Sequence, residues 1–219
     1  MPRSILVSAL LALAPVAAQA LCTSDDVPQA RAIVERFISA DCLECWREKV
    51  PAPPPDTIVL DWIVPGLKGQ NAPMASIARD EALDRLYHLK RPTPKTSASV
   101  TSERNGTPAP LRLAHGQAIN DYVGTSMELK EDVQGAWHVW LMLVEQIPAG
   151  TEGTPVPRTV VRNVFRPDWA KTVGRNPRLL AETRAMQIQE GVRPERLRLV
   201  AVVADGRGRI RAITRTECP

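Results

Sequence analysis

Histidine and aromatic side chains are both scarce here: three His, two Phe, two Tyr and five Trp in 219 residues. His88, His115 and His138 stand singly, with no second ligand at helical or strand spacing, and Met and His are not grouped near the thiols. No metal site is therefore expected. The chain has no G-x-G-x-x-G; Gly206-x-Gly208 lies between two strand-like segments and reads as a turn, so no nucleotide cofactor is expected. It also has no G-x-S-x-G, which leaves Ser76 and Ser126 without the context of a hydrolase nucleophile. Basic residues outnumber acidic ones by 28 to 24, but they are scattered and not interleaved with aromatics, which argues against nucleic acid as a partner. After the first twenty residues no apolar run approaches the roughly 18 residues of a spanning helix.

What is present begins with export. Arg3, the apolar run Ile5 to Leu13 and the small residues of Ala18-Gln19-Ala20 form a signal peptide over residues 1–20, placing the mature protein in the periplasm or outside the cell. Leu21 is too large for the small residue that lipid attachment requires before Cys22. All four cysteines lie beyond the cleavage site, so two disulfides are expected, with three possible connectivities. The pairing Cys42–Cys45 with Cys22–Cys218 is preferred, because the second bond would staple chain ends that commonly lie close together.

Cys42-Leu43-Glu44-Cys45 is the most informative motif. Ile33 to Ser39 suits a strand leading to the thiols, and the motif then opens a helix that Pro51 to Pro55 must stop after about two turns. A dithiol at a helix start points to a thioredoxin-like fold, since that position stabilises a thiolate. Thr57 to Val64 is β-branched and apolar, as a buried central strand would be. Ala75 to Leu89 has helical spacing, and Lys90 to Pro110 reads as a loop with one short strand. Beyond Leu111 the pattern is β: strands are expected at Met127 to Lys130, Ala136 to Glu145, Thr159 to Phe165, Leu197 to Ala204 and Ile210 to Thr216. Asp205 to Gly208 makes a hairpin turn, and Arg178 to Gln189 reads as an inserted helix. The fold class expected is α/β plus β: a reduced thioredoxin-like domain over residues 21–110, then a β-sandwich-like domain over 111–219.

Val34-Glu35-x-Phe37-x-Ser39-x-x-Cys42-x-x-Cys45 resembles the signature of a secreted bacterial family, domain of unknown function 1223. That family joins a thioredoxin-like front half to a β-rich back half. The resemblance extends to Ile58 to Val64, to Pro92-Thr93-Pro94, to Arg162 to Arg166 and to the hairpin Leu199 to Ala212. The chain departs from the family at Asp41, where the family has Gly, at Trp46, where it has Pro, and at Ile63, where it has His.

Two functions follow from this reading. One is thiol–disulfide exchange with a periplasmic protein partner, with Cys42 as nucleophile, Cys45 as resolving thiol and Pro94 as the cis-proline that thioredoxin folds place beside the pair. The other is a non-catalytic envelope protein that binds a partner, both disulfides being structural. Asp41 and Glu44 would oppose a thiolate at Cys42, whereas Arg47 would favour it. Ser24 to Asp26 reads as a helix cap, His88 as a solvated helix end, and Trp137, Trp140 and Trp169 as core.

Overall fold

The computed structural model describes residues 22–130, 136–169 and 179–219; the expected leader, 1–20, lies outside them. Strands dominate. In chain order they are β1 (Cys22–Thr23), β2 (Ala32–Ser39), β3 (Thr57–Val64), β4 (Ser97–Glu103), β5 (Leu111–Ile119), β6 (Tyr122–Leu129), β7 (Trp137–Ile147), β8 (Arg158–Phe165), β9 (Leu180–Gln187), β10 (Leu197–Asp205) and β11 (Ile210–Arg215). The α-helices are α1 (Leu43–Arg47) and α2 (Glu81–His88). Among the described residues no helix is long and apolar enough to cross a membrane.

The strands form a seven-stranded sheet, β11-β10-β7-β8-β3-β2-β4, and a four-stranded sheet, β1-β5-β6-β9. Strands from both sides of residue 110 hydrogen-bond into the larger sheet. The faces follow from alternation. Leu141, Leu143, Leu199, Ala201 and Val203 pack against Leu113, Met127 and Leu129 of the smaller sheet. Their neighbours Met142, Val200 and Val202 point the other way and pack with Trp62, Phe37 and Leu86 of α2. Where the small sheet does not reach, Ile38, Ile63 and Val160 are covered by Trp46, Ala72 and Met74.

This overturns the expected α/β thioredoxin-like fold. Such a fold covers its sheet with helices, yet here much of one face is covered by a second sheet. The proline run leaves α1 only five residues, and the helix expected from Ala75 to Leu89 contracts to the eight of α2. The segment expected as a helix from Arg178 forms β9, paired along its length with β6. Ser24 caps no helix: its hydroxyl accepts from the Leu113 amide (2.8 Å), and Asp25 pairs with Arg112.

Buried charge fixes the layers. Glu35, fully buried in β2, accepts from Arg85 of α2 through Nε (2.8 Å) and Nη2 (2.6 Å) and from the Trp62 indole (3.0 Å). Glu145 of β7 holds Arg162 through one oxygen, Oε2 (2.6 Å), while its Oε1 accepts from the Arg193 amide (3.1 Å). A bidentate, fully hydrogen-bonded pair is what makes such burial tolerable.

Candidate functional site

Both disulfides are formed: Cys42–Cys45, and Cys22–Cys218 across a sequence separation of 196. The first sits just beyond the end of β2. The Cys42 amide donates to the Ser39 carbonyl (2.9 Å), and the Cys45 amide donates to Cys42 Sγ (3.3 Å). Both cysteines are half-buried. Glu44 is exposed and pairs with Arg47 at 3.2 Å.

Two groups hold the turn from outside it. At the far end of α1, Arg158 of β8 donates through Nη2 to the carbonyls of Cys45 (3.4 Å), Trp46 (2.7 Å) and Glu48 (3.2 Å). Through Nη1 it reaches Asp61 Oδ1 (3.2 Å), and through Nε the Thr154 hydroxyl (3.1 Å). Burial pulls the Arg158 guanidinium down from its ordinary pKa range, and the Asp61 carboxylate opposes that. Asp61 is fully buried and also accepts from Arg36 (2.8 Å) and the Thr159 amide (3.2 Å). Trp46 is buried and donates from its indole to the Glu152 carbonyl (2.8 Å).

The second group is Asp41. Its carboxylate accepts from the amides of Leu67 (2.7 Å) and Lys68 (3.3 Å), tying the loop after β3 beside the thiols. Gly66 packs so closely that a Cβ there would lie 2.4 Å from the Asp41 carboxylate. The charge expected only to oppose a thiolate is thus engaged by backbone N–H groups.

Pro94 departs from expectation: no peptide bond among the described residues is cis, so Thr93–Pro94 is trans. Its segment nonetheless flanks the site, since the Thr96 carbonyl accepts from Ser39 N (2.7 Å) as β4 begins beside β2. Thr96, two residues after Pro94, thus reaches the strand end without a cis bond.

The staple pairs β1 with the chain end, where Thr23 and Glu217 exchange two backbone hydrogen bonds (3.0 and 2.8 Å). His115 of β5 lies opposite Cys22 in register. A ring nitrogen of His115 and the two sulfurs lie within 4.8 Å of one another, but the sulfurs are joined to each other and offer no thiolate to a metal. His115 Nδ1 donates to the Gly116 carbonyl (3.1 Å), Nε2 has no protein partner, and burial lowers the ring's pKa.

His88 is exposed at the end of α2, donating from Nδ1 to Asp84 O and accepting from Arg166 (2.7 Å). Desolvation and then the Arg166 charge lower its pKa. His138 is exposed on β7, and Trp137, Trp140 and Trp169 are buried.

Arg158, Asp61 and Trp46 were not anticipated as parts of the site. Asp61 carried a signal: an acid inside TIVLDWIV must be buried, and a buried carboxylate must find donors. Compared with known proteins, the chain matches no protein-family profile, no curated protein and no solved structure.

Proposed function

We propose that this is an exported thiol–disulfide exchange protein whose working pair is Cys42–Cys45. The observation that carries the reading is that contacts other than the disulfide also hold the turn. Arg158 fixes the last carbonyls of α1, Trp46 is buried, and Asp41 anchors the neighbouring loop. A bond across a sequence separation of 3 closes almost no loop and adds little stability. Opening it would leave the turn in place, which suits a pair that cycles. The apolar leader-like stretch and the two disulfides support an oxidising compartment.

In the reducing direction, the Cys42 thiolate attacks one sulfur of a partner protein's disulfide and expels the other as a thiolate. The Cys45 thiolate then attacks Cys42 Sγ, releasing the partner's second thiolate and forming Cys42–Cys45. An external dithiol restores the reduced pair, taking up the bond by the same two steps. The Cys45 amide, already aimed at Cys42 Sγ, stabilises the thiolate. Glu44 is paired with Arg47 and Asp41 with amides, which blunts their opposition.

Equilibration in glutathione buffers, with alkylation and mass spectrometry to count reduced Cys42 and Cys45, tests this. Exchange-active pairs have potentials between about −120 and −270 mV. A pair that stays oxidised below about −300 mV, or that opens only when the protein unfolds, would return Cys42–Cys45 to a structural role.

A further inference from the structure

The staple brings three metal-ligating side chains together from three segments. Cys22 of β1 stands opposite His115 of β5 in register, and Cys218 follows the bridge between Thr23 and Glu217. One atom from each, the two sulfurs and a His115 ring nitrogen, lies within 4.8 Å of the others. In sequence His115 has no second ligand at helical or strand spacing; strand pairing supplies two. Hydrogen bonds as well as the disulfide hold these segments side by side. Thr23 and Glu217 exchange two backbone bonds, the Ser24 amide donates to the Leu113 carbonyl (2.9 Å), and the Thr216 amide donates to the Leu199 carbonyl (2.9 Å).

The imidazole is set as a ligand would be. Its Nδ1 donates to the Gly116 carbonyl (3.1 Å), which leaves the lone pair on Nε2, and Nε2 is buried without a protein partner. A backbone carbonyl on the far nitrogen is the usual way a metal-bound histidine is oriented. With Zn–S near 2.3 Å and Zn–N near 2.0 Å, a tetrahedral ion spaces its ligand atoms by about 3.5–3.8 Å, which fits inside the observed span. Cys218 is half-buried and outside any strand, so its side chain has room to turn once the bond is open. All three residues border a cavity of about 500 Å³, which gives an ion a way in and water a place at the fourth position.

We propose that the staple, once reduced, binds zinc(II) through Cys22 Sγ, Cys218 Sγ and His115 Nε2. A dithiol opens the bond, closing into its own cyclic disulfide and leaving two thiols; zinc then displaces both thiol protons. Disulfide and zinc thiolate are alternative closures of the same ring. Cys42→Ser/Cys45→Ser in the full chain removes the other thiols, so that only the staple reports. After reduction with a dithiol and anaerobic desalting, competition with a chromophoric chelator measures zinc, and cobalt(II) absorption reports the ligands. The reduced protein should take up one zinc, show the thiolate charge-transfer and intense d–d bands of a tetrahedral cobalt site, and melt at a higher temperature with zinc than without. The oxidised protein should do none of these. His115→Phe should weaken zinc about a hundredfold and change the cobalt spectrum. Zinc bound as tightly by the oxidised protein, or by reduced His115→Phe, overturns the proposal. So does a reduced protein that binds no zinc, or one that circular dichroism shows unfolded even with zinc bound.

Discussion

Arg158 and Trp46 hold one another twice. The guanidinium donates to the Trp46 carbonyl at 2.7 Å and also lies 5.1 Å from the centroid of the Trp46 ring. One buried cation therefore satisfies the end of a helix, stacks on its largest side chain and pairs with Asp61. Arg158→Met should cost about 3–5 kcal/mol, since it strands three carbonyls and half of a buried ion pair. Arg158→Lys should rescue little, because an ammonium cannot reach carbonyls, Asp61 and Thr154 at once. Urea unfolding with an unchanged slope would measure both.

The two disulfides should differ in what they contribute. On the chain-entropy account, a bond across a separation of 196 stabilises by about 5 kcal/mol. Cys218→Ser should therefore lower the melting temperature strongly, whereas Cys45→Ser should cost less than about 2 kcal/mol. Equal losses in calorimetry would contradict the picture of a turn held from outside.

Asp41 and Gly66 should be coupled. Gly66→Ala alone pushes a Cβ onto the Asp41 carboxylate and should cost about 1–3 kcal/mol. In an Asp41→Gly background the same change should be nearly neutral, and a double-mutant cycle reads the difference. Additive costs would mean the two residues do not meet.

His115 should give the protein an acid-sensitive step. Its folded pKa is lowered from 6.5, so the unfolded chain binds the proton more readily. The stability it contributes is complete above pH 6.5 and is lost as pH falls from there towards the folded value. The carboxylates with lowered values, Asp25 and Asp205, act only further down, below about pH 4. The melting temperature should thus fall between pH 7 and pH 5 in the native protein and stay flatter in His115→Phe. A variant as steep as the native protein would show that His115 is not the group responsible.

Some of this was legible in the sequence. Thr57 to Val64 reads as a buried strand because β-branched residues repeat on both faces, and that strand forms with those limits. Of the three connectivities that four cysteines allow, the one preferred because the chain ends could meet is the one found. β9 was not legible, since Leu180–Gln187 is built from good helix formers and buries only Leu180 and Met186. Eight consecutive pairings with β6 override that local preference. Arg158 reads as an ordinary basic residue at a strand start; its role depends on groups about a hundred residues away, the Trp46 carbonyl and Asp61 among them. The thioredoxin-like expectation took the CxxC at a helix start and the strand before it as diagnostic of a helix-covered sheet, whereas α1 has only five residues before the proline run.

The staple between Cys22 and Cys218 makes a covalent ring of nearly everything the structure describes. Tension applied at the two ends passes through one sulfur–sulfur bond instead of through the hydrogen-bonded ladders. A machine that degrades proteins by threading them from an end would meet a closed hoop, two strands thick at the entrance. A dithiol that opens this one bond therefore removes the mechanical resistance and the chain-entropy stabilisation together.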